Sequence, residues 1–182
     1  MKFEQTNLIG NFLINLEKKE DDRGFFARYF CEKEFSEHGL NTKWVQINNS
    51  ESKDKGTLRG LHYQREPKAE IKLIRCLKGA IWDVVVDLRY NSETYGKWFG
   101  KKLSDENRTM MYVPKGFAHG FISLEPNTEI LYLVSDFYAP DLEGDLIWND
   151  PNVAINWPIQ PLVISDKDKA ANTFKKIKPV NP

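Results

Sequence analysis

The stretch LRGLHYQ, Leu58 to Gln64, sets an arginine and a histidine three residues apart, beside a glycine and just ahead of an apolar run. A guanidinium is permanently charged and offers a fork of donors to a phosphate or carboxylate. An imidazole gives or takes a proton near neutral pH. Arg59 and His62 are therefore suited to anchor an anion and to work as a base on whatever that anion carries. Read without further context, the same residues are equally an ordinary surface arginine and a hydrogen-bonded structural histidine.

His119 closes PKGFAHGF, where Pro114 and Gly116 make a turn into an aromatic-flanked strand. His38 sits beside Glu37 in a polar stretch and reads as surface. Lys72, between Ile71 and Leu73, points away from both if the chain is extended, and Tyr132 alternates in the same way with Leu131 and Leu133. Asp168 lies in the charged run SDKD and by composition alone is a solvated loop carboxylate. The pattern P-x-G-x-x-H ending at His119 resembles the second motif of the cupins. The first cupin motif needs a second histidine two residues after His62, and Gln64 stands there. Two imidazoles without further ligands make a poor divalent-metal site, so neither metal nor cofactor is expected.

The elements that must position these residues are mostly strands. In IKLIRCLKGAIWDVVVDLRY two apolar runs flank Lys78 and Gly79, which predicts a hairpin. Its second run puts Trp82, Val84, Val86 and Leu88 on one face and Ile81, Asp83, Val85 and Asp87 on the other. KWFGKKL, TMMYVP, GFISL and EILYLVSDFY follow as further strands, and QINNSESKDKG reads as a loop. EKEFSEHG predicts one short helix with Phe35, and Cys31 at its edge, turned inward and Gly39 as its stop. The tail from WPIQPLVISDKDK reads as ordered coil with a short helix packed on the barrel and frayed last residues. The expected fold is mainly β, a cupin-type jelly-roll barrel with one or two short helices, in a single domain spanning residues 1–182.

The bulk numbers narrow the classes. Lys plus Arg and Asp plus Glu each number 26, and the net charge of zero argues against nucleic acid, which needs a basic face. No apolar run approaches a membrane span, and MKFEQTN lacks the apolar segment of a signal peptide, so a cytoplasmic location is expected. Cys31 and Cys76 are far apart, without a CxxC, and read as buried thiols rather than a disulfide.

DDRGFF, GTLRGLHYQ, IKLIRCLKGAIWDVVVDLR, YVPKGFAHGF, YAPDLEGDLIWNDP and ISDKD, in that order from Asp21 to Asp168, together resemble the dTDP-4-dehydrorhamnose 3,5-epimerase family of metal-free cupins. The resemblance implies a nucleotide-linked 4-keto-6-deoxy sugar, whose ketone acidifies the hydrogens on both neighbouring carbons. It also implies His62 as the base, Asp168 as the partner of its second ring nitrogen, Lys72 near the enolate oxygen, and Tyr132 as the acid, with Tyr138 six residues on. Arg59 is implied on the diphosphate and His119 in support. Arg23 and Phe26 are implied to cross from a neighbouring subunit, in a homodimer with exchanged N-terminal strands (residues 1–30). Gln46, Asn48 and Arg28 match the nucleotide side of the pocket. Relatives commonly carry a glutamate where Arg28 stands and a histidine where Asn49 stands, so the base stays open between dTDP, CDP and GDP. Relatives that invert C3 alone, or that move the ketone between C3 and C4, leave the extent of reaction open too. A non-catalytic sugar-nucleotide-binding cupin is the reading of another class.

Overall fold

Short strands with apolar residues on alternate positions bury one side each, and two sheets of such strands bury those sides against one another. The computed structural model of the chain describes residues 1–181. Its strands are β1 (Lys2–Gln5), β2 (Phe12–Asn15), β3 (Lys19–Asp21), β4 (Gly24–Phe26), β5 (Gln46–Ser52), β6 (Thr57–Gln64) and β7 (Lys72–Lys78). They continue as β8 (Ala80–Asp87), β9 (Trp98–Ser104), β10 (Met110–Val113), β11 (Phe117–Ser123), β12 (Thr128–Val134), β13 (Glu143–Asp145) and β14 (Val163–Ile164). Two short helices, α1 (Glu32–Glu37) and α2 (Asp166–Lys169), complete the regular structure with two 3-10 turns.

One sheet has the order β1-β2-β10-β7-β12-β5, and the other has the order β13-β6-β11-β8-β9 with β14 parallel to β6. They stack as a jelly roll with free edges rather than a continuously closed barrel. Ile74, Cys76, Ile81, Val85, Leu103, Met111, Phe121 and Ile130 fill the space between the sheets. Val84, Val86 and Leu88, on the other face of β8, are covered from outside by the C-terminal tail through Ile177 and Val180. Phe35 of α1, fully buried, covers the outer face of the first sheet with Ile14, Leu73 and Met110. Burying a phenylalanine side chain contributes about 2 kcal/mol, enough to dock a six-residue helix that would not hold alone.

Four expectations are corrected. β7 and β8 are not a hairpin: β7 pairs with β10 and β12, and β8 pairs with β9 and β11. Gly79, at φ +72°, carries the chain from one sheet into the other. The two apolar runs are alike because both strands have buried inner faces, a property that does not require them to be partners. Residues 46–52 are strand, not loop, paired along their length with β12. Their polarity reflects an edge strand whose outward side chains meet water. The tail does not fray before residue 181, because Val180 donates to the Leu88 carbonyl at 2.7 Å and accepts from the Tyr90 amide at 2.8 Å. Cys76 is buried as expected, but Cys31 is only half-buried; both are free thiols.

Candidate active site

The glycine in LRGLH answers a packing demand. β6 runs beside β11 with His119 opposite His62, and the register slips just beyond that pair. A β-carbon on Gly60 would lie 2.7 Å from the His119 carbonyl oxygen and 2.8 Å from Gly120 Cα, at a φ of +104°. Only glycine lets the two backbones approach this closely. The approach sets His62 on the wall of a cleft between the sheets.

His62 and Asp168 are 106 residues apart in sequence, yet His62 Nε2 meets Asp168 Oδ1 at 2.7 Å. Asp168 is carried by α2, whose start is capped by Ser165: the Asp168 amide donates to Ser165 Oγ at 3.1 Å. The carboxylate is almost fully buried, and its second oxygen accepts from the Gly60 amide at 3.4 Å. The solvated-loop reading of the SDKD run is thus overturned by docking of α2 against β6. With Nε2–H donating to a carboxylate, Nδ1 carries the lone pair. Burial pushes the His62 pKa below its ordinary value of 6.5; the attraction of Asp168 opposes this without overcoming it, and the charge of Lys72 adds to the lowering. The imidazole is therefore neutral at pH 7 and competent as a base.

Lys72 and Tyr132 stand on β7 and β12 of the first sheet, facing His62 of the second. The cleft has two lobes, of about 500 Å³ and 340 Å³. Arg59, His119, Lys167 and Asp168 line the first, and Gln46, Asn48, Glu70, Tyr138 and Glu143 line the second. His62, Lys72 and Tyr132 are the residues common to both. Both volumes fall in the range of small-molecule sites. Burial raises the Tyr132 phenol pKa, and the charge of Glu70 adds to that, so the hydroxyl is protonated at neutral pH. Arg59 is steadied by donating to the Glu51 carbonyl at 2.9 Å. Tyr138 donates through its hydroxyl to Glu143 Oε2 at 3.0 Å, and its amide donates to Gln46 Oε1 at 3.3 Å.

His119 does not reach the cleft unpartnered. Its Nε2 meets the fully buried Asp83 at 2.7 Å, making a second histidine–carboxylate pair behind the first. His62 and His119 thus each engage a carboxylate, and no group of three or more potential metal-ligating side chains gathers among the described residues.

Three expected residues are not brought to the cleft of their own chain. Arg23 is 88% exposed and pairs with Asp21 on the β3–β4 hairpin, while Phe26 on the same hairpin is 65% exposed. Arg28 pairs with Glu34 at 3.0 Å, away from both lobes. Conversely, Glu70, Asp83, Glu143 and Lys167 were not singled out from the sequence. Asp83 was legible as an acid within an apolar run, and Glu70 as a neighbour of Lys72 at strand spacing. Glu143 and Lys167 meet at 2.6 Å across 24 residues, which no local pattern announces.

Residues 5–176 match the family model described as dTDP-4-dehydrorhamnose 3,5-epimerase. A curated protein of that name from Methanothermobacter thermautotrophicus is 45% identical over 171 residues, covering 92% of this chain and 91% of its own length. Among solved structures, the dTDP-4-dehydrorhamnose 3,5-epimerase of Elizabethkingia anophelis superposes with a TM-score of 0.94 at 44% identity, covering 97% of each chain. A Legionella pneumophila epimerase solved in complex with dTDP-4-keto-L-rhamnose gives 0.90 at 39% identity, over 97% of this chain and 94% of its own. Since the family match runs almost from end to end and the His62–Asp168 pair sits in a cleft walled by both sheets, this chain is an enzyme belonging to the dTDP-4-dehydrorhamnose 3,5-epimerase family.

Proposed function

We propose that the chain epimerises C3 and C5 of a dTDP-linked 4-keto-6-deoxy sugar, the dTDP-4-dehydro-6-deoxyglucose to dTDP-4-dehydrorhamnose type of reaction, through an enolate. The observation that carries this reading is the placement of a neutral histidine on one sheet and a protonated tyrosine on the facing sheet, both lining the junction of the two lobes. Inversion requires removal of a proton from one face of a carbon and delivery to the other, and a base and an acid on opposite walls supply that.

His62 Nδ1 takes the C–H proton, the electron pair moves into the C4 carbonyl, and the enolate oxygen forms near the Lys72 ammonium, which favours the new charge. Tyr132 then gives its hydroxyl proton to the opposite face of the same carbon. Water returns a proton to the phenolate and removes one from the imidazolium, restoring both for the second carbon. Arg59 holds the diphosphate and so limits the reach of the sugar to His62, three residues along the same strand. Gln46, Asn48 and Tyr138 line the lobe left for the rest of the substrate. No redox step occurs, because each carbon ends in the oxidation state in which it began.

The wild-type protein incubated in D2O with dTDP-4-keto-6-deoxyglucose is expected to yield a sugar nucleotide two mass units heavier, one deuterium for each carbon flanking the ketone. A gain of one would restrict the reaction to a single carbon. No gain with this substrate would overturn the assignment to a dTDP-linked sugar.

Arg23 and Phe26, exposed on a hairpin that makes its own two-stranded sheet, are read as reaching the cleft of a second copy, so that the working unit is a homodimer. Light scattering should give twice the chain mass. Mixing inactive His62→Ala chains with Arg23→Ala chains should restore activity, since hybrid dimers hold one complete site. A monomeric mass, or no recovery on mixing after subunit exchange, would refute the exchange. A cytoplasmic location fits the two unpaired cysteines. Among the described residues no helix is long and apolar enough to cross a membrane.

A further inference from the structure

Lys72 does not face the cleft alone. Glu70 Oε1 lies 3.1 Å from Lys72 Nζ, with only 11% and 14% of the two side chains exposed. The residues are two apart, the spacing that puts both side chains on one face of an extended chain. An ammonium on four methylenes has many rotamers, and a largely buried carboxylate at hydrogen-bond distance selects among them.

The backbone that carries Glu70 is fastened on either side. Ala69 is fully buried. The Ile71 amide donates to Ser135 Oγ at 2.8 Å, and the Ser135 amide donates to the Ile71 carbonyl at 3.0 Å, tying the following neighbour of Glu70 to the end of β12. Lys68 reaches Asp136 at 2.9 Å, so the approach to β7 is fastened along the end of β12. Glu70 makes no other ion pair among the described residues. It lines the second lobe beside Tyr132, whose phenol its charge helps to keep protonated.

We propose that Glu70 is a positioning residue for the reaction: it holds the Lys72 ammonium at the place where the enolate oxygen develops, and acts on the rate through Lys72. This rests on the enolate-stabilising reading of Lys72 given above. A carboxylate beside a developing enolate is unfavourable as a charge by itself, so its value lies in fixing the cation, whose effect falls steeply when it is displaced.

The test is a cycle of Glu70→Gln, Lys72→Met and the double variant, read as kcat and KM for loss of the C3 hydrogen to solvent. Glu70→Gln should lower kcat about ten- to hundredfold with KM changed less, since the ammonium it holds is needed most where the enolate charge develops. On the Lys72→Met background the same change should cost almost nothing, because the residue it positions is gone. Glu70→Asp, which keeps the charge and withdraws it by one methylene, should fall between wild type and Glu70→Gln. It also stands in should the glutamine variant lose its circular dichroism spectrum. A kcat that is unchanged or raised, a loss confined to KM, or an equal loss with and without Lys72 would each overturn the proposal. Absence of exchange in the wild type would instead refute the function it rests on, so the two failures are distinguishable.

Discussion

Replacing His62 by alanine is expected to lower turnover about a hundred- to ten-thousandfold, and to suppress wash-in of solvent deuterium by the same factor. The expectation follows from geometry. Nε2 is committed to Asp168 at 2.7 Å, so Nδ1 is the basic nitrogen left for substrate. His119, the nearest other imidazole along the ladder, lines the first lobe alone, away from the junction where His62 meets Lys72 and Tyr132, and is not placed to substitute. The fold should survive, because the backbone of residue 62 remains paired with β11 and β13 and the side chain is 29% exposed, so no closed cavity is created. The cost in stability is an almost fully buried Asp168 carboxylate left with the Gly60 amide but without the imidazole, about 3 kcal/mol, which a fall in thermal midpoint would register. A folded His62→Ala protein that exchanges deuterium at the wild-type rate would dispose of the mechanism.

Asp168→Asn should produce the second large effect, with a signature that distinguishes it. An amide can present its NH2 group to Nε2, which then must accept, moving the ring proton to Nδ1 and removing the lone pair from the reacting side. By analogy with other carboxylate–imidazole pairs the plateau of kcat/KM should fall about a thousandfold. The acid limb should move as well. In the native protein burial lowers the His62 pKa and the Asp168 charge raises it, burial prevailing. Activity is present above that pKa and is lost as pH falls through it. Without the carboxylate the imidazolium is favoured still less, so the folded pKa drops further and the limb shifts to lower pH. A lower plateau with a limb displaced toward acid is therefore the expected profile. A limb displaced toward neutrality, or a plateau unchanged, would show that Asp168 does not act through the imidazole.

Much of the site was legible because its residues break local patterns. Alternation gives Tyr132 a face shared with Ile130 and Val134, where a hydroxyl needs a partner, and sets Lys72 opposite Ile71 and Leu73, toward either solvent or the lumen. Arg59 and His62 stand close to a glycine that reads as a turn in the sequence, and the structure places all three within β6. Such anomalies are visible in one dimension. The resemblance of six ordered segments supplied their roles: pattern alone left His62 evenly balanced and favoured a structural tyrosine at Tyr132 and a solvated carboxylate at Asp168.

Alternation of side chains determined which residues lie inside and that the fold is built of β-strands, because that period is a local property of the extended backbone. It did not determine which strands are partners. β7 and β8 look like the arms of a hairpin and lie in different sheets, since pairing depends on which edges meet after the sheets stack. Edge strand β5 was invisible for a related reason: its backbone hydrogen bonds come from β12, while its side chains are as polar as those of a loop. The same limit governs the site. Asp168 beside His62, Asp83 beside His119 and Lys167 beside Glu143 are contacts between residues distant along the chain, and only the pairing of β8 with β11 and the docking of α2 on the same sheet bring those charges together.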